Sequence, residues 1–269
     1  MMKSVKVLCI GGSDSSGGAG IQADLKAVSA RVCWGLSVIT AVTAQNTNGV
    51  FGIYPIAPEF VGKQMDVVLK DTGADAVKTG MLPTAEIIHA VAKKIKKYKI
   101  TKLIVDPVMI AKGGKNLMPG KARLALIKEL LPLALAVTPN IPEAEILAKT
   151  EIKSIEDMKE AALRIHDLGV RNVLIKGGHL PAGRKADVTD ILYNGNFYEF
   201  TSQRIPVQNI HGTGCAYASA LAAGIAQGES IIDAALRAKI FIIAAIKNHV
   251  QTGKGYSPAN VFGEIFKRQ

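Results

Sequence analysis

Cysteine is scarce in this chain. Three residues at positions 9, 33 and 215, an odd number set far apart in 269, leave no disulfide framework and point to a reducing compartment. Their spacing does not match a zinc site. Aromatic residues make up only 5% of the chain, so little is available to stack against exposed nucleobases, and no nucleic-acid motif is visible. Long hydrophobic runs are missing as well. The most apolar stretch, around Ile240 to Ile246, is bounded by Lys239 and Lys247 and is too short to span a bilayer. The opening apolar stretch breaks into glycines at Gly11 and Gly12, too early for a signal peptide. These absences make a cytoplasmic protein with no membrane or nucleic-acid partner the expectation. There is no G-x-x-x-x-G-K-[ST] segment, which excludes a Walker-type P-loop. Gly18 to Ala23 match G-x-G-x-x-A, but the glycine loop before them is too long for a tight strand-to-helix turn. No acidic residue follows near Thr43, so a Rossmann cofactor is not expected.

The hydrophobic share is 48%, and the length is enough to bury a substantial core. A formal charge of +11 is partly local, because Lys93, Lys94, Lys96, Lys97 and Lys99 gather near one predicted helix end. There the cations suit the helix dipole and stay solvated. An excess of positive charge also favours capture of a phosphate-bearing substrate.

Short β-branched runs alternate with longer amphipathic ones. Strands are predicted over 5–10, 37–42, 74–77, 103–105, 135–138 and 173–175, and helices over 21–30, 58–69, 84–98, 121–131 and 155–168. This is the β-α alternation of a mostly parallel sheet covered on both faces. Residues 188–193 and 197–200, joined by Asn194-Gly195-Asn196, predict a β-hairpin. Two helices, 214–227 and 230–249, follow. No linker or repeat divides the chain, so one domain over 1–269 is expected.

Almost every unusual residue falls just after a predicted strand, on the edge where an open parallel sheet binds ligands. These segments are Gly11 to Gly20, Thr43 to Asn46, Lys78 to Met81, Asp106 to Met109, Thr138 to Asn140 and Lys176 to His179. Polar, glycine-rich loops are common there on structural grounds alone, which accounts for the glycines but not for Gln45 or Lys176. The segment His211-Gly212-Thr213-Gly214-Cys215 runs into a small-residue helix. Its glycines let the backbone approach an anion, and its N–H groups and helix dipole favour negative charge. Cys215 in the first turn has the position that lowers a thiol pKa, although a small core cysteine is the structural alternative. Such residues suit phosphoryl transfer, which needs positioning and charge neutralisation more than covalent chemistry. Lys176 would reach nucleotide phosphates. Asn140 and Glu143, with Asp106 nearby, would organise a hydrated magnesium ion, and Asn140 with Glu143 would equally form a capping box. A thiol hydrolase pairing Cys215 with His211 or His179 and a non-catalytic ligand-binding domain are the readings from other classes.

Taken in order, these motifs resemble one family. Gly12-Ser13-Asp14, Ser16 to Lys26, Ala44-Gln45-Asn46-Thr47, Lys78 to Met81, Asp106 to Met109, Thr138 to Ala144, Lys176 to Leu180 and His211 to Cys215 are similar to the hydroxymethylpyrimidine/phosphomethylpyrimidine kinases of thiamine synthesis. These form a branch of the ribokinase-like superfamily. The resemblance covers essentially the whole chain and implies a three-layer α/β/α kinase, usually a homodimer, using ATP and Mg2+. It implies two successive phosphorylations, of 4-amino-5-hydroxymethyl-2-methylpyrimidine and then of its monophosphate. Gln45 would bond the aminopyrimidine edge, and Gly12, Asp24, Met81 and Val108 would line its pocket. Cys215 would be the base toward the substrate hydroxyl, where related sugar kinases carry aspartate, with Gly212, Thr213 and Gly214 as the anion cradle. Relatives that phosphorylate pyridoxal or pyridoxine share the glycine-cysteine loop and give the second reading. One departure is the turn Ala30 to Gly35, where relatives commonly have Leu-Gly; it bears on loop geometry and a dimer contact more than on chemistry.

Overall fold

A computed structural model describes residues 4–110, 114, 116–180, 187–207 and 209–263. The chain runs β1 (Lys6–Asp14), α1 (Gly20–Ala30), β2 (Trp34–Asn46), β3 (Gly49–Pro55), α2 (Pro58–Asp71), β4 (Ala76–Thr79), α3 (Ala85–Lys97), β5 (Leu103–Val105), α4 (Gly120–Ala125), β6 (Ala136–Val137), α5 (Ile141–Ala148), α6 (Ile155–His166), β7 (Asn172–Ile175), β8 (Asp187–Tyr193), β9 (Phe197–Gln203), β10 (Ile210–His211), α7 (Thr213–Ala226), α8 (Ile231–Lys247) and β11 (Ser257–Pro258). Nine strands form one sheet in the order β3-β2-β1-β4-β5-β6-β7-β8-β9. The six from β2 to β7 pair in parallel, and β3, β8 and β9 add antiparallel flanks.

Alternation along the strands feeds two cores. In β1, Leu8 and Ile10 join the apolar faces of α2 to α6, whereas Val7 and Cys9 join those of α1, α7 and α8. Helices therefore cover both faces of the sheet, in the three-layer ribokinase-like arrangement. Full burial on both faces is why the central strands read as continuous apolar runs.

Three expectations are corrected here. The predicted helix over 121–131 keeps α-geometry only to Ala125, then widens into a π-turn over Leu126–Leu130 and tightens into a 3-10 turn over Leu131–Leu133. Pro132 cannot continue the helical hydrogen-bond ladder, and the change of winding falls just before it. Strand β3 had no strand prediction. It pairs antiparallel with the far half of β2 through a bulge at Ala44/Gln45, and that bulge is where Gln45 sits. Helix α5 was foreseen only as a cap, and its eight residues are too few for a periodic signal. At the departing turn, Val32 adopts a φ of +58° and stands exposed beside exposed Trp34, while Cys33 is buried.

Candidate active site

The C-terminal ends of the parallel strands open into a cleft of about 540 Å3, within the size range of small-molecule sites. Each site residue anticipated from the sequence lines it: Gly12, Asp24, Gln45, Met81, Asp106, Val108, Asn140, Glu143, Lys176, Gly212, Thr213, Gly214 and Cys215.

On one side, Met81 packs with Ala41 and Leu117, with Val108 and Ile53 against them, as an apolar wall. A Cβ at position 12 would meet the terminal methyl of Met81, so β1 lies close against that wall. The Gln45 side-chain oxygen accepts a hydrogen bond from the Thr43 hydroxyl at 3.2 Å, and the Gln45 backbone is tied to the Ser15 hydroxyl in both directions, at 2.7 and 2.9 Å. An apolar wall with one anchored amide fits a planar heterocycle.

On the other side, α7 begins at Gly212 with no side-chain cap. The first-turn N–H groups of a helix have no intrahelical acceptor and face outward with the positive end of the dipole. Gly212 has a φ of +78°, and a Cβ there would overlap the Gly18 carbonyl oxygen. Only glycine fits this start. A Cβ at Gly214 would lie 3.4 Å from Lys176 Nζ, so the lysine ammonium sits beside the first turn. Lys176 itself is paired with Asp106 at 3.1 Å, and the Thr138 hydroxyl donates to the same Asp106 oxygen at 3.3 Å. The sequence placed Lys176 toward nucleotide phosphates; its partner within the chain is Asp106.

Asn140 and Glu143 form the anticipated capping box, at 3.0 and 2.9 Å, and Glu143 also accepts from the Met109 N–H at 3.4 Å. Burial pushes the Glu143 carboxyl up to about 7, with Lys176 opposing and Asp106 adding to the rise. Among the described residues no group of three His, Cys, Asp or Glu side chains is arranged to hold a metal. Asp106 and Glu143 fit magnesium as carboxylates that reach it through water, since Mg2+ keeps several waters and takes other oxygens from phosphates.

Cys215 requires a correction. Its helix-start position was read as lowering the thiol pKa, yet burial pushes it up to about 12, with Lys78 lowering it and Asp24 and Asp106 raising it further. The Gly20 backbone is a smaller influence favouring the thiolate. Burial is the largest influence, and the two carboxylates add to it. His211, one of the two proposed hydrolase partners beside His179, sits instead against Asp14, with its Nε2 3.3 Å from Asp14 Oδ2. Asp14 in turn holds the glycine loop, accepting from the Ser16 N–H and hydroxyl and from the Gly18 and Ala19 N–H groups at 2.7 to 3.2 Å. Burial alone would raise the Asp14 carboxyl, but His211, Ser16 and the loop N–H groups bring it down to about 2.

Two residues were given no role from the sequence. Asp14 appeared there only inside a motif. Lys78 Nζ donates to both Asp24 oxygens at 2.8 and 2.9 Å in a fully buried pair, and the Ser219 hydroxyl adds a third contact to Asp24 at 2.8 Å. The available signal was a lysine inside the buried run Ala76–Thr79, since an unpaired lysine is almost never fully buried.

The family model described as phosphomethylpyrimidine kinase matches residues 14–260. The chain belongs to that family. It is 46% identical over 268 residues to the hydroxymethylpyrimidine/phosphomethylpyrimidine kinase of Bacillus subtilis, a match covering 99% of this chain and 97% of that protein. It is 53% identical over 255 residues to the thiamine biosynthesis bifunctional protein ThiED of Geobacter sulfurreducens, covering 94% of this chain and 51% of that one. The chain thus spans about half the length of the bifunctional relative. Among solved structures, the ADP complex of Bacillus subtilis pyridoxal kinase superposes with a TM-score of 0.90 at 36% identity, over 98% of this chain and 99% of that one.

Proposed function

We propose that this kinase-family chain transfers the terminal phosphoryl group of ATP to the hydroxymethyl group of 4-amino-5-hydroxymethyl-2-methylpyrimidine, and then a second phosphoryl group to the resulting monophosphate. The observation that carries the reading is a single cleft in which the apolar wall and amide of Met81, Val108 and Gln45 face the uncapped start of α7, with Cys215 in its first turn. The aminopyrimidine lies against Gly12, Met81 and Val108, with Gln45 on its ring edge. Its hydroxyl points to Cys215, whose thiolate form accepts the proton as the oxygen attacks the terminal phosphorus and ADP leaves. The N–H groups of Gly212, Thr213 and Gly214 stabilise the equatorial oxygens, and Lys176 exchanges Asp106 for the nucleotide phosphates, with Asn140 beside it. The apolar end of the cleft, between Val188 and Ile205 on one side and Ile242 and Ile246 of α8 on the other, receives the adenine. A magnesium ion, held through water by Asp106 and Glu143, would neutralise phosphate charge.

The whole of residues 1–269 acts as one catalytic domain, and two copies form a homodimer. The support for the dimer is an exposed apolar patch at one edge of the sheet, with Val42, Phe51 and Tyr54 on β2 and β3 and Phe60 and Val67 on α2. No helix among the described residues is long and apolar enough to cross a membrane, and with the reduced cysteines this supports a cytoplasmic place of action. The test is ADP release with the hydroxymethylpyrimidine and again with its monophosphate. The likeness to the pyridoxal kinase favours a second reading, in which pyridoxal occupies the same wall; turnover of pyridoxal with none of the pyrimidine would establish that reading in place of the first.

A further inference from the structure

The geometry points to Lys78 as a positioning residue that acts through Cys215: a buried ammonium, joined through Asp24 to the residue one helical turn along from the thiol, that stabilises its thiolate form. This rests on the reading of Cys215 as the base, a thiol partly open to the cleft whose ionisation Asp24 and Asp106 oppose.

The argument starts from two helices that enter the site side by side. In α1, Gly20 and Asp24 are four residues apart, and in α7 so are Cys215 and Ser219, so each pair shares a helix face. The pairs lie together, since Gly20 and Cys215 both line the cleft and Asp24 accepts from the Ser219 hydroxyl. Lys78, rising from the end of β4, is held on both oxygens of Asp24. Ser219, which shares Asp24 with that ammonium, lies one turn, roughly 5–6 Å, along α7 from Cys215. A Cβ at Gly80 would come within 2.9 Å of Lys78 Nζ, so a glycine after the strand leaves the space that the ammonium occupies.

The other charged or titratable groups around Cys215 are Asp24 from α1, Asp106 after β5, Lys176 after β7 and the Cys9 thiol of β1. Both carboxylates oppose ionisation of the thiol. Lys176 is turned to Asp106 and, in the proposed reaction, to phosphate. Lys78 is fully buried, reaches no solvent, and is already held by Asp24 before any substrate arrives. Burial alone would favour its neutral form, but Asp24, Cys215 and Asp106 keep its pKa above the ordinary lysine value, so the charge is present at working pH. In the buried setting a nearby cation favours the thiolate far more than it would at the surface.

The test is the rate at which iodoacetamide alkylates Cys215 in the full-length, substrate-free protein, followed peptide by peptide from pH 7 to 9. Cys215 lines the cleft, whereas Cys9 and Cys33 are buried. Lys78→Gln keeps an N–H donor for Asp24 and removes the charge. A rise of one unit in the thiol pKa lowers the thiolate tenfold, and the gain in nucleophilicity returns part of that. The expected result is alkylation at least threefold slower at every pH, with half-maximal kcat displaced to higher pH. Ser219→Ala removes a contact to Asp24 but no charge and is expected to stay within twofold of the native rate. Should Lys78→Gln fail to fold, Lys78→Gln/Asp24→Asn restores a neutral matched pair and is read in the same way, again slower than native because Lys78 is the stronger of the two influences on the thiol. Native alkylation rates in whichever Lys78 variant folds, or equal slowing in Ser219→Ala, would overturn the proposal. Alkylation needs no turnover, so absence of ADP release would count against the kinase reading alone.

Discussion

Two clusters of opposite charge in this molecule are built from the same residue types and differ in almost everything else. Beneath the cleft, Lys78, Asp24 and Ser219 are shut away from water on all sides. Between α2 and α3, Asp66 holds Lys94, Lys97 and Tyr98 at the surface, and a lysine-rich helix end surrounds it. The surface contacts hold the Asp66 carboxyl well below the usual carboxylate range, but water and salt screen what that is worth. The interior pair has no water to fall back on, so removing one partner strands the other. Ion pairs therefore cannot be counted as equivalents, and the expensive one lies beside the chemistry.

The comparison can be broken at several points. Cys215→Ala carries the largest effect, a fall in kcat of about 10²- to 10⁴-fold with pyrimidine binding still measurable by calorimetry, as loss of a general base should give. Near-native turnover would return Cys215 to a packing role. Lys78→Ala strands Asp24 and is expected to cost about 3–5 kcal/mol in urea unfolding. Gly212→Ala puts a side chain where φ is +78° and the Gly18 carbonyl already sits. It should cost about 1–2 kcal/mol for the backbone alone, with a further drop in kcat as the cradle shifts.

Asp14→Asn sharpens the contrast through pH. The folded Asp14 carboxyl lies near 2 against an ordinary value of 3.8, so its stabilisation is present above pH 4 and is lost as pH falls through 2. The variant should be less stable at pH 7 by about 1–2 kcal/mol, with the gap closing below pH 4. At the surface, Asp66→Asn should leave kcat unchanged and move the unfolding midpoint less than any interior variant. A large effect there would erase the distinction between the clusters.

Much of this was legible in the sequence, for a physical reason. Strands buried on both faces must be apolar, so the places where they end and polar residues begin stand out, and those ends are where a parallel sheet binds ligands. Gln45, Lys176, Asn140 and Glu143 were found that way. The role of Lys78 was not, because with the strand predicted over 74–77 the lysine looks like the first exposed residue of a loop, whereas it lies inside β4. The thiol of Cys215 was misjudged for a related reason. A helix start is a local feature, whereas burial and the carboxylates of Asp24 and Asp106 come from three separate segments. Strand β3 escaped because it carries two glycines and ends in proline, and its order comes from pairing with β2.

The short pairing of β10 with β11 makes the phosphate cradle a product of long-range closure. Residues just before the cradle are held by a strand from far downstream: Ser257 N–H donates to the Asn209 carbonyl, Ala259 N–H to that of His211, and Tyr256 N–H ties the same segment to Thr47. The cradle is thus braced only when a segment far along the chain closes on it, a loop closure whose entropic cost the rest of the fold must offset.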